Sequence, residues 1–265
     1  MLSLHTNAAA LSTQNALGST NKALSSSMTK LGTGFRVNSA MDDAAGLQIA
    51  TRLKAQTSGM SVAQKNTQNG ISMLQTAEGA MAEVSNMLIR MKDLATEATN
   101  ATSTADDITA MAAEYDALLA EVGNIKSNTK FGGQTILAAD ATWNFQTGAG
   151  SADVYAYSFK TFSTTAVAFT DAATAKTAIG ALETDIAAIG TSRSSLGAAA
   201  NRLEHTYNNL GNMVQNIKAA EGRIMDVDYA TESSNMTSKQ MLMHASTSML
   251  KQSSSMRQMV ASLLQ

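Results

Sequence analysis

Apolar residues recur along much of this chain at intervals of seven. Leu53, Met60, Thr67, Leu74, Met81, Leu88 and Ala95 form one such row, and Ala63, Gly70, Ala77, Val84, Met91 and Ala98 interleave as a second. Two interleaved rows at that spacing are the pattern of a coiled coil or helical bundle. The spacing predicts one helix from about Asp42 to Asn100, on the order of 85 Å long. Gly59, Gly70 and Gly79 inside it point to close helix approaches, or else count mildly against perfect continuity.

The two ends of the chain are sparser. Leu4 and Leu11 form one set near the N-terminus and Leu17, Leu24 and Leu31 another, on nearly opposite faces of a single helix from Leu2 to Leu31. Such a helix cannot bury all its apolar residues against one neighbour. With Ser, Thr and Asn filling the intervals, little apolar area offsets the ordering entropy, so the segment is marginal alone and suited to folding between several partners. The last segment mirrors it, with Leu242, Met249, Met256 and Leu263 seven apart and Met259 and Val260 joining at the end. Matching halves predict that the termini pair as a coiled coil, with Leu17, Leu24, Leu31, Leu242, Met249, Met256, Val260 and Leu263 as a self-assembly seam.

Between these segments the pattern changes twice. Asn100 to Thr104 is a polar turn, and Ser103 or Thr104 with Asp106 and Asp107 reads as a helix start. Ile108, Met111, Tyr115, Leu118, Val122 and Ile125 then give the stripe of an antiparallel helical return. Residues 131–137, 142–147 and 154–159 read as short strands, with a turn at Gly148, Ala149 and Gly150. Thr161 to Thr177 is weakly patterned. Helical periodicity resumes at Ile179, Leu182, Ile186 and Ile189 and runs through Leu196, Leu203, Leu210, Met213 and Ile217 to Met225. The expected fold is mainly α: long antiparallel helices, a coiled-coil terminal layer, a helical bundle and a small β-hairpin region.

One interruption stands between the first helix and the long one. Gly32 and Gly34 weaken helix propensity, so a helix should end there. Ser39 and Asp42 have capping-box spacing, Asn38 is an alternative cap, and Asp42 and Asp43 fall in a first turn, where orphan backbone donors favour anions. Gly32, Gly34, Arg36, Asn38, Ser39, Asp42 and Asp43 together read as a joint between two layers. The organisation that follows is 1–35 and 226–265 as the two parts of a terminal coiled-coil domain, and 36–225 as a helical rod with its hairpins near 131–160.

Composition removes several classes of function. Aromatic residues are 5% and charged residues 15% of the 265, proline is absent and methionine numbers 17, a mixture suited to long helix packing more than to a thick core. A net charge of −2 without a Lys/Arg cluster argues against a nucleic acid or an anionic membrane as partner. With no cysteine, disulfides and thiolate chemistry are excluded. No apolar run reaches membrane-spanning length, and the start of the chain lacks the basic region of a secretory signal peptide. Gly32, Thr33 and Gly34 lack the spacing of a phosphate loop, no His-Glu-x-x-His joins His5, His205 or His244, and no Gly-x-Ser-x-Gly elbow occurs. Asp226, Asp228 and Glu232 read as caps or ion-pair partners. No catalytic, cofactor or metal residue is expected.

The interruption carries a specific likeness. Thr29 through Ala50, with Leu31, Gly34, Arg36, Asn38, Ser39, Ala40, Asp42, Asp43, Ala44, Ala45, Gly46, Leu47, Gln48 and Ile49, resembles the N-terminal signature of bacterial flagellins. Arg223, Ile224, Asp226, Asp228, Tyr229, Ala230, Glu232, Ser234, Asn235 and Met236 resemble the family's C-terminal signature, and residues 260–265 its closing Leu-Leu segment. The resemblance implies a subunit that polymerises with copies of itself into the flagellar filament outside the cell, exported through the flagellum's own apparatus without a cleaved signal. It implies further partners: an export chaperone, the filament cap and hook-filament junction proteins. In that family the termini are disordered in the monomer and line the filament channel, and larger members carry outer domains in mid-chain, for which the space between Phe159 and Ala172 leaves no room. Residues 88–95 are similar to the segment bound by an animal Toll-like receptor, with Arg90, Leu94 and Glu114 at matching positions. Thr29 to Ala50 is similar to the epitope of a plant flagellin receptor. A hook-filament junction protein shares the terminal helices and is the alternative within the apparatus. A helical sensor or binding module is the alternative outside it.

Overall fold

The computed structural model of this chain describes residues 7–263, and the backbone alone at Arg257, Gln258, Val260 and residues 261–263. The elements in order are α1 (Ala8–Thr33), α2 (Ala44–Ala98), α3 (Ala105–Asn128), β1 (Lys130–Phe131), β2 (Gln134–Thr135), β3 (Ala141–Gln146), β4 (Val154–Phe159), α4 (Ala172–Met225) and α5 (Tyr229–Leu263). The mainly α architecture with small hairpins is as expected. Two compact units divide the chain: Met1–Ala55 with Asn216–Gln265, and Gln56–Gln215.

In the larger unit the heptad rows form the core. From Met60 to Ala98 every position of both predicted rows on α2 is buried. The Thr67 hydroxyl sits in that row without a penalty, because it donates to the Ala63 carbonyl at 2.8 Å. Tyr115 and Val122 of α3 and Leu182, Ile189, Leu196 and Leu203 of α4 complete the same cluster. Thr104 and Asp107 form a full capping box at the start of α3, at the site predicted. Ion pairs link the helices, Arg90 to Glu114 at 2.7 Å, Lys92 to Glu183 at 2.9 Å and Arg193 to Glu78 at 2.7 Å. The last two step in opposite directions along α2 and α4, which are therefore antiparallel. All three are partly exposed and contribute at most about 1 kcal/mol each. Apolar burial dominates this unit.

The β region departs from its predicted form at one point. Residues 131–137 do not make a single strand: the chain turns at Gly132 and Gly133, β1 pairs with β2, and Ile136 and Leu137 leave the ladder to be buried. β3 and β4 pair as a hairpin with Trp143 opposite Tyr157 and Phe145 opposite Tyr155. Trp143 also stacks on Phe159 at 4.9 Å. The hairpin seats on α4 through the Tyr157 hydroxyl, which donates to Ser195 Oγ at 3.0 Å, and through the Arg202 guanidinium, 4.5 Å from the Tyr155 ring centre. It seats on α2 at Gly70, where a Cβ would stand 2.8 Å from the Phe145 ring and 3.2 Å from Leu203. Gly79 has no such neighbour within 4 Å, so the expected close approach there is absent.

The weakly patterned stretch becomes a strap. Residues 160–169 have no regular structure, yet Phe162 and Phe169 are buried. The strap is held by Asp185 of α4, itself buried, whose carboxylate accepts from the Thr165 hydroxyl at 2.7 Å, the Thr165 N–H at 2.8 Å and the Ala166 N–H at 3.1 Å. Helix α4 begins at Ala172, ahead of the first periodic residue Ile179, because Asp171 caps it by accepting from the Thr174 and Ala173 N–H groups.

In the smaller unit α1 and α5 pair antiparallel. Asn7 Nδ2 donates to Ser253 Oγ at 3.0 Å and Lys239 Nζ to Ser27 Oγ at 2.7 Å, which sets the direction and register. Ala10, Thr13, Leu17, Thr20, Leu24, Ser27 and Leu31 are the covered positions along one face of α1, and Met236, Lys239, Met243, Ser246, Leu250 and Ser253 along α5. Both sets alternate by three and four, as a coiled-coil seam requires. Leu17, Leu24 and Leu31 lie on this intrachain seam. Leu242, Met249 and Met256 lie off it, 54%, 64% and 47% exposed. The heptad interval is shared by every face of a helix, and on α5 the row Met236, Met243 and Leu250 took the seam. Leu4 lies outside the described residues, as do the side chains of Val260 and Leu263.

Among the described residues of α1 and α5 only Leu24 and Ser27 are buried. So little apolar area leaves this pair near the limit of stability. Limited proteolysis of the monomer is expected to cut within residues 8–33 and 229–263 while residues 56–215 persist; first cleavage inside α2 or α4 near the core would contradict this ordering.

Tyr115 offers a second test. Its ring is buried edge-on to Phe169, but its hydroxyl finds no hydrogen-bond partner among the described residues, and burial beside the Asp185 charge pushes its pKa up to about 12. An unpaired buried hydroxyl costs about 1–3 kcal/mol, so Tyr115→Phe should leave thermal stability unchanged or raise it. Because the folded value lies above the ordinary 10.0, this group's stabilising contribution is complete below pH 10 and lost as pH rises towards 12. The Phe variant should lose less over that window.

Candidate functional site

The end of α1, the start of α2, the end of α4 and the start of α5 meet in the smaller unit. Each helix end carries up to four backbone groups without an intrahelical partner. The residues of the interruption, together with Met225 to Asp228, satisfy them.

Gly34 closes α1 in the left-handed region at φ 77°, its N–H donating to the Lys30 carbonyl at 2.9 Å. That turn aims the next residues at the far end of the chain. Phe35 and Asp226 form an antiparallel bridge, with the Arg36 N–H donating to the Met225 carbonyl at 2.6 Å and the Val227 N–H to the Gly34 carbonyl at 3.0 Å. The Arg36 side chain donates from Nη2 to the Ile224 carbonyl at 2.8 Å. Ile224 and Met225 are in the last turn of α4, so backbone and guanidinium of one residue cap that helix, and the cation sits at the negative end of its dipole. Val37 beside them is buried.

Asp42 folds the next turn. Its Oδ2 accepts from the Ser39 N–H at 2.9 Å and the Asn38 N–H at 3.1 Å, while Asn38 Nδ2 donates to the Phe35 carbonyl at 2.9 Å. The cap of α2 is Asp43: its Oδ1 accepts from the Gly46 N–H at 2.8 Å, and its carbonyl accepts the first helical bond from Leu47. This corrects the expected Ser39/Asp42 capping box. Those residues have the right interval but close a turn ahead of the helix, and the signal for the true cap was Asp43 three residues before Gly46. Gly32, also assigned to the joint, lies inside α1. Across the bridge Asp228 caps α5, accepting from the Ala230 N–H at 3.0 Å and the Thr231 hydroxyl at 2.7 Å, the capping role expected of it.

Hydrogen bonds from the Asn38 and Ser39 N–H groups hold the Asp42 carboxyl below its ordinary 3.8, with the Lys30 charge adding to them. The Thr231 hydroxyl and the Thr231 and Ala230 N–H groups do the same for Asp228. The pairing of the two stretches, and the roles of Arg36, Val37 and Tyr229 within it, could not be read from either stretch alone.

The remaining sequence candidates lie in the larger unit. Arg90 and Glu114 are on its surface as an ion pair, but Leu94 is buried in the core at 3% exposure and offers no side-chain surface to a receptor in this fold. Among the described residues no group of three potential ligands could hold a metal ion, and no helix is long and apolar enough to cross a membrane. A shallow groove of about 530 Å³ is lined by Ser61, Gln64, Lys65, Gln68, Asn69 and Tyr207.

Two family models match the chain: the bacterial flagellin N-terminal helical region over residues 4–142 and the bacterial flagellin C-terminal helical region over residues 179–264. Polar flagellin F of Vibrio parahaemolyticus is 43% identical over 164 residues, 62% of this chain and 44% of that protein. The B-type flagellin of Pseudomonas aeruginosa is 41% identical over 167 residues, 63% of this chain and 34% of that protein. The crystal structure of Bacillus cereus flagellin aligns with 34% identity and a TM-score of 0.49, covering 55% of this chain and 88% of that one. The matched stretch thus spans less than half the length of either curated relative.

Substitution at the joint separates two physical effects. A Cβ at Gly34 would meet the Tyr229 hydroxyl at 2.8 Å, but Tyr229 is largely exposed and its ring can swing away, whereas the positive φ cannot relax. Gly34→Ala should therefore cost about 1–2 kcal/mol in the smaller unit, and adding Tyr229→Phe should recover little of it. Full recovery in thermal melts would mean that contact, not backbone strain, dominates.

The lowered carboxyls give a pH signature. Their contribution is present above the ordinary carboxylate range and is lost as pH falls below about 4 through the lowered folded values. Helicity of α1 and α5 should fall in that window, and Asp228→Ala should bring part of the loss up to neutral pH, as followed by circular dichroism.

Proposed function

The chain belongs to the bacterial flagellin family, a family of structural proteins, and on that basis we propose that it is a subunit of the flagellar filament whose activity is self-assembly. One observation carries the reading: the α1/α5 pair covers one seam and leaves the apolar row of Leu242, Met249 and Met256 open, with Leu11 and Met28 open on α1. A helix pair with so little buried area of its own gains stability when neighbours cover such rows, at roughly 25 cal/mol for each Å² of apolar surface removed from water. Ordering of the ends is then coupled to assembly.

In this reading Leu17, Leu24 and Leu31 hold the subunit's own helix pair. Leu242, Met249 and Met256 face other subunits. Residues 1–35 and 226–265 make the inner coiled-coil layer and 36–225 the rod outside it, with the joint at Gly34 to Asp43 between them. The filament lies outside the cell. Export through the flagellum's own apparatus, an export chaperone, the filament cap and hook-filament junction proteins follow from family membership as its partners. Catalysis has no part in the reading. Recognition by animal or plant receptors would be incidental to assembly, and the surface Arg90–Glu114 pair is the element it would use. Nothing observed favours a junction protein or a sensor.

The purified chain, seeded or salted, should form long filaments in electron micrographs. A monomer that persists under those conditions would overturn the proposal. Leu242→Ser with Met249→Ser should leave the monomer's melt within about 0.5 kcal/mol of wild type, since both side chains are exposed, yet abolish or strongly impair filament growth. Filaments of normal yield from that variant would remove these residues from the interface.

A further inference from the structure

The methionines fall into two classes. Met60, Met81, Met87 and Met91 are buried in or beside the α2 core, whereas Met241, Met249 and Met256 are exposed on α5, the first at 63%. At 100° per residue these three and Leu242 fall within about 100° of the helix circumference, roughly 120° round from the seam that faces α1. The open row of α5 is thus mainly a stripe of thioethers. In a chain without cysteine, thioethers are the sulfur atoms open to an oxidant; Met28, Met41, Met213 and Met259 are exposed as well, but Met241, Met249 and Met256 stand in line along the open row.

We propose that this stripe is an oxidation site that gates assembly: two-electron oxidants of the peroxide class convert Met241, Met249 and Met256 of the free subunit to sulfoxides, and the modified subunit cannot join a filament. The inference rests on the assembly role proposed for the α5 row. In the step, a sulfur lone pair attacks one peroxide oxygen, the S–O bond forms as the O–O bond breaks, and the departing hydroxide takes the proton of the transferred oxygen to leave as water. Sulfur is oxidised by two electrons and the peroxide reduced by two. A flexible apolar side chain becomes a polar one with a strong acceptor, and burying that acceptor without a donor opposes the contact that the thioether favoured. The subunit's own fold is spared, because the stripe makes no part of the α1/α5 seam and the core methionines are shielded.

The test uses the full chain, hydrogen peroxide and peptide mass spectrometry. Graded treatment of monomer should oxidise Met241, Met249 and Met256 before Met60, Met81, Met87 and Met91. Helicity and the melt of the larger unit should not change, while the critical concentration for filament growth rises at least about tenfold. The triple variant Met241→Leu, Met249→Leu, Met256→Leu should polymerise equally before and after the same treatment. Unchanged growth of wild-type protein bearing the three sulfoxides overturns the proposal, as does a triple variant as peroxide-sensitive as wild type. If the Leu variant fails to assemble untreated, wild-type filaments decide: stripe methionines oxidised at least about tenfold more slowly in filaments than in monomers support the gate, and equal rates overturn it. Untreated wild-type protein that forms no filaments overturns the assembly reading itself, and the gate with it, which separates the two failures.

Discussion

The cross-tie between Gly34–Arg36 and Met225–Val227 is the constraint on which the smaller unit depends. Its chemistry is the disposal of polar backbone groups. Four helix ends come together there, and a helix end left without partners costs more than the few apolar contacts nearby could return. Arg36 caps α4, Asp43 caps α2, Asp228 caps α5 and Gly34 turns the chain out of α1. Much of the sequence signature shared with flagellins is accounted for by these tasks. They are backbone tasks, and they would be required of any chain that had to reverse direction twice at one place.

The two units stabilise themselves by different means. Residues 56–215 rely on continuous apolar rows, an aromatic hairpin and a single buried carboxylate that holds the strap. The terminal pair relies on polar register pins, Asn7 to Ser253 and Lys239 to Ser27, with one buried leucine between them. Polar contacts in a thin seam specify alignment better than they stabilise it. A well-aligned but weakly held pair suits the assembly role proposed above.

Periodicity was decisive where burial was complete. Both α2 rows from Met60 onwards and the Leu182 to Leu210 series were readable because a fully buried face tolerates few polar residues, so the interval and the face are the same signal. On α5 they separate: Leu242, Met249 and Met256 have the interval, but Met236, Lys239, Met243 and Leu250 have the seam. A heptad in a sparsely apolar helix names a face without saying which neighbour covers it. The cap of α3 was readable as Thr104 with Asp107, one of the pairings its residues offered, and that of α2 was misassigned to Ser39 and Asp42 with Asp43 beside them. The strap and its anchor Asp185 left no local trace, since Phe162, Phe169 and Asp185 meet only once α4 is in place. Nor could sequence show that Leu94 faces inwards. Resemblance to a recognition segment says nothing of which side chains the fold leaves outside.

The strap has a consequence for how chains of this kind change length. Residues 160–169 make no ladder and are tied to the helices at Thr165 and Ala166 through Asp185, at Phe162 through Lys126 and by the buried Phe162 and Phe169 rings, between a hairpin and a capped helix. Lengthening a loop whose ends are already fixed costs little, about 0.6 kcal/mol for each doubling. The stretch left between the two family matches, residues 143–178, includes this segment. New sequence entering at the exposed Val167 and Ala168 would break no helix, provided Phe162 and Phe169 kept their buried places and two N–H groups remained within reach of Asp185. The same fold could in this way carry a surface of any size at one address while its ends, and whatever they assemble, stay unaltered.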